Sequence, residues 1–163
     1  MKSRISPCLW FDHGGEDAAR FYTGIFKDSK ITGISHDGEA GKEQHGRPPG
    51  SVMTVAFELN GQSFTALNGG PDFKFSEAVS FQIECQTQEE VDYYWGKLGE
   101  GGDPNALMCG WLKDKFGLSW QVVPKILPEL LTDPDTVKSQ RAFQAMMQMK
   151  KLDIAALQRA FAG

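Results

Sequence analysis

Apolar and polar positions alternate from Ile5 to Phe11, the period of a half-buried strand. Gly14-Gly15 breaks that pattern, and Glu16-Asp17 then open a helix with acids in the first turn, where the helix dipole favours them. Ala19, Phe21-Tyr22 and Ile25-Phe26 keep helical apolar spacing up to Lys27. Lys30 to Ser35 reads as a short β-branched strand, and residues 36–51 as a long polar loop rich in Gly and Pro. Val52 to Leu59 and Gln62 to Leu67 read as strands joined by Asn60-Gly61, a strong short hairpin signal. After a linker from Gly69 to Ser76 the order repeats. Ala78 to Cys85 predicts a strand, and Thr87 with Glu90 predicts the capping box of a helix carrying Val91, Tyr94-Trp95 and Leu98 on one face. Leu107 to Lys113 and Leu118 to Val123 predict a second hairpin around Asp114-Lys115-Phe116-Gly117.

The element order β-α-β-β-β thus occurs over about residues 5–68 and again, with one strand weakly marked, over about 78–124. The two runs barely match residue for residue. From 126 to 163 the chain predicts helices: Ile126 to Leu131, Asp135 to Met149 and Asp153 to Phe161. The expectation is a single α+β domain over 1–163, built of two βαβββ modules that form curled mixed sheets around a pocket, with a C-terminal helical tail. Met146, Met147 and Met149 in that tail read as core or interface filler.

Length and composition narrow the function classes. A chain of 163 residues suits one domain and buries roughly 70% of its unfolded surface without staples. The net charge of −4 and the absence of a basic patch argue against a nucleic-acid partner. No apolar stretch approaches the roughly 18 residues of a membrane span, and Met1-Lys2-Ser3-Arg4 begins no signal peptide, so no membrane partner is expected. Cys8, Cys85 and Cys109 are too few and too scattered for a disulfide framework or a zinc ribbon. They read as free thiols in a reducing cytoplasm, with Cys109 the one to consider reactive. His13, His36 and His45 fall at a strand end or in the long loop and read as solvated. His13 beside Asp12 is the pair that could do acid–base work.

The string Cys109-Gly110-Trp111-Leu112-Lys113-Asp114-Lys115-Phe116-Gly117-Leu118-Ser119-Trp120-Gln121 resembles the closing hairpin of the PhnB-like proteins of the vicinal-oxygen-chelate superfamily, relatives of glyoxalase I, bleomycin-resistance proteins and extradiol dioxygenases. Cys8-Leu9-Trp10-Phe11, Ala18-Ala19-Arg20-Phe21-Tyr22 with Phe26, Glu89-Glu90-Val91-Asp92 and residues 145–154 of the tail agree with it. One branch of these proteins carries the label 3-demethylubiquinone-9 3-methyltransferase. The residues lend that label no support: the glycines lie in polar loops and at helix ends, and none forms the Gly-rich strand-to-helix turn of the usual methyltransferase fold.

The resemblance implies paired modules with helices on the convex side and four metal ligands, one on each of four strands, usually two His and two Glu. None of those positions holds a His or carboxylate here. Ile5 to Leu9 offers none, Thr65-Ala66-Leu67-Asn68 ends in an amide, and the third position falls on Ser80 or, two residues earlier, Ala78. The fourth falls on Gln121. Neutral oxygens hold divalent cations poorly, so neither a metal nor another cofactor is expected.

Strand alternation then sets the expected pocket lining. About Lys115-Phe116, Trp111 would face Trp120 beneath a helix, while Ser119 and Gln121 would face the pocket. Phe57 would face Phe64, with Met53 opposite Asn68, and the fifth strand would add Ser80, Gln82 and Glu84. The substrate-binding candidates are therefore Gln121, Ser119, Ser80, Gln82, Asn68, Phe57 and Phe64, with Gln121 the anchor. An apolar pocket with amide and hydroxyl accents suits a small organic ligand. The same residues would also serve a closed core. Three functions stay open: a metal-free binding protein, a metal-independent or atypical-metal enzyme of the same superfamily, and a partner protein whose tail makes an interface. A cytoplasmic homodimer is expected under all three.

Overall fold

In a computed structural model, which describes residues 4–163, the first alternating segment is strand β1 (Cys8–Phe11) and the acid-led segment is helix α1 (Gly15–Ile25). β2 (Lys30–His36), β3 (Val52–Leu59) and β4 (Gln62–Asn68) follow. Asn60 and Gly61 both take positive φ, 47° and 80°, the backbone a two-residue hairpin turn demands. That turn pairs Phe57 with Phe64 and Val55 with Ala66, as the alternation predicts. The sheet order is β1-β4-β3-β2, with β1 parallel to β4 and the other pairs antiparallel. Within the loop after β2, one helical turn, α2 (Lys42–His45), interrupts what the composition reads as irregular chain.

The chain forms two compact units, one through Phe75 and one from Ser76 to Gly163. In the first, the apolar stripe of α1 (Ala18, Ala19, Tyr22, Ile25) is buried against the sheet face that carries Leu9, Val55, Phe57, Phe64 and Ala66. Tyr22 stacks on Phe57 at 6.3 Å between ring centroids, and Phe57 on Phe64 at 5.3 Å. Such ring pairs add about 0.5–1.5 kcal/mol each beyond area burial.

The second unit repeats the plan. β5 (Ser80–Cys85) leads to α3 (Gln88–Gly99), whose N-cap Thr87 accepts from the Glu90 N–H at 3.2 Å while the Glu90 carboxylate reaches back to the Gln86 N–H at 2.7 Å. β6 (Trp111–Lys113) and β7 (Ser119–Pro124) complete a sheet of order β5-β7-β6, β5 parallel to β7 and β6 antiparallel to it. The order mirrors β1-β4-β3.

The counterpart of β2 is reduced to one bridge, Met108 to Trp111, after a 3-10 turn (Pro104–Ala106). The sequence predicts one strand over Leu107 to Lys113, but the chain reverses inside it. Cys109 and Gly110 take φ of 50° and 84°, and Met108 and Trp111 exchange backbone hydrogen bonds of 3.1 and 2.7 Å across them. Two successive left-handed residues make the tightest hairpin turn, and a glycine at the second lowers its cost.

The closing hairpin also departs from expectation by one residue. Trp111 pairs with Gln121 and Leu112 with Trp120. Asp114 to Gly117 make a turn closed by the Gly117 N–H on the Asp114 carbonyl at 2.9 Å, and Gly117 takes φ 87°. This is the three-residue loop with a left-handed glycine, which adds one residue to a two-residue turn. A one-residue shift moves a side chain to the opposite face. Trp111 therefore shares the face of Gln121, and Leu112, Trp120 and Val122 are buried on the other.

Helices α4 (Ile126–Leu131), α5 (Thr136–Met147) and α6 (Ile154–Ala162) form the tail. Asp135 and Asp153, which the sequence places inside helices, are their N-caps, accepting from Val137, Lys138 and Ala156 N–H groups. Leu127, Leu130, Ala142, Leu152 and Leu157 make the tail's core. Among the described residues no helix is long and apolar enough to cross a membrane.

Candidate functional site

The open face of the second sheet follows from the pairing. β5 and β7 run in parallel register, Ser80 beside Ser119 and Gln82 beside Gln121, so all four side chains share the face that α3 does not cover. They form a chain of neutral hydrogen bonds. Gln121 Nε2 donates to Ser80 Oγ at 2.9 Å, and Gln121 Oε1 accepts from Gln82 Nε2 at 3.3 Å. Ser119 is buried beside them. Four predicted site residues are thus brought together, and Gln121 is the one that touches two of the others.

Above this floor lies a cleft of about 880 Å³. Its floor is Gln82, Ser119, Gln121 and Trp111, and the turn residues Met108 and Cys109 edge it. The far wall comes from the tail: Leu127, Leu131, Met146 and Met147. Cys109 Sγ lies 3.7 Å from Met147 Sδ, so turn and tail meet through sulfur. The charged lining residues are Lys113 and Glu77, paired at 2.5 Å, so the cleft carries no net charge. The lysine hydrogen bond holds the Glu77 acid below the usual carboxylate range.

The other predicted residues lie elsewhere. Phe57 and Phe64 are buried in the first unit, under α1. Asn68 is buried too, and both ends of its amide are engaged with backbone: Oδ1 accepts from the Gly15 N–H at 2.8 Å and Nδ2 donates to the Val52 carbonyl at 3.0 Å. It starts α1, which has no side-chain cap of its own. Glu84 lies further along β5, bonded to Gln86 Nε2 at 3.0 Å. His13 faces Asp12 at 3.4 Å on the surface of the first unit, with its side chain 89% exposed, and does not line the cleft.

Sequence reasoning missed Trp111 and the tail wall. Gly117 three residues after Asp114 was the available signal for Trp111, because it marks the longer turn. Nothing local marks the tail residues. It missed a second feature in the long loop. Asp37 is buried, and Arg47 donates to both of its carboxylate oxygens, at 2.7 and 3.1 Å. Those hydrogen bonds hold the Asp37 acid below the usual carboxylate range.

The resemblance implies a metal, and the donor set does not fit one. Where the resemblance puts the third and fourth ligands stand Ser80 (or Ala78) and Gln121, and the Gln121 amide turns an N–H, not a lone pair, toward the Ser80 oxygen. Among the described residues no group of three or more His, Cys, Asp or Glu converges to hold an ion.

A family model described as 3-demethylubiquinone-9 3-methyltransferase matches residues 3–123. The solved structure of a putative 3-demethylubiquinone-9 3-methyltransferase, PhnB protein, from Bacillus cereus is 34% identical, with a TM-score of 0.63 over 75% of this chain and 99% of that one. Protein PA1353 from Pseudomonas aeruginosa shares the fold at 16% identity and a TM-score of 0.56, over 76% of this chain and 98% of its own. A glyoxylase/bleomycin resistance protein/dioxygenase domain from Frankia sp. aligns at 14% identity and a TM-score of 0.46, over 76% and 92%. No curated protein matches the chain.

Proposed function

The chain belongs to the PhnB-like family of the vicinal-oxygen-chelate superfamily, whose model carries the methyltransferase description, and we propose that it binds a small, uncharged organic molecule without a metal. The observation that carries this reading is the pair of amides Gln121 and Gln82 on the floor of a largely apolar cleft, bonded to each other and, through Gln121, to Ser80 behind them. Each amide in that pair keeps hydrogen-bonding capacity beyond the bonds it makes, so the floor offers both donors and acceptors to a neutral group. A charged ligand would meet no unpaired counter-charge there, and a buried unpaired charge is costly.

The fold, unlike the family description, supplies no reason to expect methyl transfer. The two mixed sheets, of four and three strands, are not the doubly wound parallel sheet on which a nucleotide-like cofactor rests against a Gly-rich turn. We further propose a cytoplasmic homodimer; the free cysteines Cys8, Cys85 and Cys109 suit a reducing compartment.

A thermal-shift screen with uncharged aromatic carbonyl and hydroxyl compounds tests the binding. A ligand at 100 times its dissociation constant adds about 2.7 kcal/mol of stability. The expected result is a shift that survives a chelator and disappears in Gln121→Leu. A shift that needs added metal, or one that Gln121→Leu leaves intact, would overturn the reading.

A further inference from the structure

The family model ends at residue 123, and a quarter of this chain finds no counterpart in the Bacillus cereus protein that it otherwise covers almost end to end. α4, α5 and α6 all lie after that limit. They are not a loose extension. The turn at Cys109-Gly110 aims two successive N–H groups at the tail, and these donate to the Met149 and Lys150 carbonyls at 2.8 Å each. Gln88 of α3 clasps the next stretch at both ends of its amide, donating to the Leu152 carbonyl at 3.1 Å and accepting from the Ile154 N–H at 2.9 Å. Lys151 pairs with Asp92 at 2.8 Å. Leu152, fully buried, plugs the joint.

Docked this way, the tail stands over the open face of the sheet and turns it into a cleft. Without Leu127, Leu131, Met146 and Met147 there would be a floor and one edge. We propose that the tail is the specificity element of this protein: it selects ligands with an aromatic body, held between Trp111 and the thioethers of Met146 and Met147, and a carbonyl or hydroxyl end held by Gln121. This rests on the binding function proposed above and adds the wall, the ligand class and the residues that choose it. Thioether sulfur is polarisable and makes favourable contacts with ring edges, while an indole on the floor offers a flat stacking surface. The neutral amide end accounts for the polar group, and the paired Lys113 and Glu77 leave no charge to be satisfied.

The test uses the full chain and the dye prodan, an uncharged naphthyl ketone whose emission shifts to the blue on leaving water. Titrations are run on the unaltered protein and on Gln121→Leu, Met147→Lys, Leu131→Gln, Met147→Leu and Val137→Lys, with a thermal melt of each as the fold check. Met147 is 45% exposed, so a lysine there should fold. The expected result is saturable blue-shifted binding, weakened at least about tenfold by Gln121→Leu, Met147→Lys and Leu131→Gln, because each puts a mismatched group against the dye. Met147→Leu should weaken binding by about two- to tenfold, because it removes the sulfur–ring contact while keeping the wall apolar, and Val137→Lys, on the exposed side of α5, should bind normally. Binding lost in Gln121→Leu but kept in Met147→Lys and Leu131→Gln would overturn the tail's role and leave the cleft reading standing. Binding untouched by all of them, or equally weakened by Val137→Lys, would overturn the placement altogether, and no binding at all would overturn the aromatic ligand class.

Discussion

Asp114 determines which side chains reach the cleft, and removing it should be measurable as stability. The residue is 2% exposed. Oδ1 accepts from the Phe116 N–H at 2.9 Å and the Leu118 N–H at 3.1 Å, and Oδ2 from the Trp120 indole N–H at 2.9 Å. Asp114→Ala orphans three donors. Phe116 is half-buried, so its N–H regains water. Leu118 and Trp120 are buried, and each unmet buried donor costs about 1–3 kcal/mol. Relief of a buried carboxylate offsets part of that. The net loss should be about 3 kcal/mol, which for a chain of this size lowers the melting temperature by roughly 6–12 °C. Asp114→Asn should lose about half as much, because an amide has one acceptor oxygen and must turn its NH2 toward one set of donors. Differential scanning calorimetry at constant pH measures both. A melting temperature for Asp114→Ala within about 2 °C of the unaltered protein would refute the reasoning, since it would mean that the turn holds its register without the carboxylate.

Two further outcomes follow from groups outside the cleft. Asp37 is ionised more readily in the native loop than in the unfolded chain, so its contribution is complete above the unfolded acid's value, roughly 4, and is lost as pH falls through the lowered native one. Proteolysis within residues 37–51 should therefore accelerate below that range in the unaltered protein, and at neutral pH in Arg47→Met; equal protection of the two at pH 7 would contradict the clasp. Burial, aided by Glu90 and Glu84, pushes the Cys85 thiol up to about 12. Cys85 should stay unmodified by a thiol reagent at pH 8 while exposed Cys8 reacts at once, and native-state stability should decline as pH rises past the unfolded thiol's value near 9. Peptide mapping that finds Cys85 labelled without unfolding would show that this strand opens.

Much of the architecture was legible because it is written in local signals. Asn60-Gly61 sets its hairpin register by turn geometry alone, and Phe57 meets Phe64 as alternation predicts. Thr87 with Glu90 marks a helix start through hydrogen bonds made within a few residues. The substitution of Ser80 and Gln121 at expected metal positions is also a sequence fact, and the structure adds that they touch each other.

What local signals could not settle was which face of each sheet the helix covers, and what covers the other. Phe57, Phe64 and Asn68 line an apolar face with an amide at its end, a description that fits a pocket and a core equally well. Only the docking of α1, with the Gly15 N–H on Asn68, makes them core. A single extra turn residue at Gly117 moved Trp111 from an expected core to the cleft floor, because side chains alternate with period two and a shift of one reverses them. The tail wall depends on contacts between residues more than 35 positions apart, such as Cys109 with Met147, which no short-range pattern encodes. The sequence by itself determined most of the elements, their order and the neutral chemistry of Gln121 and its neighbours. The tertiary structure alone decided that this chemistry faces an apolar cleft, because the cleft exists only where the tail folds back over the sheet.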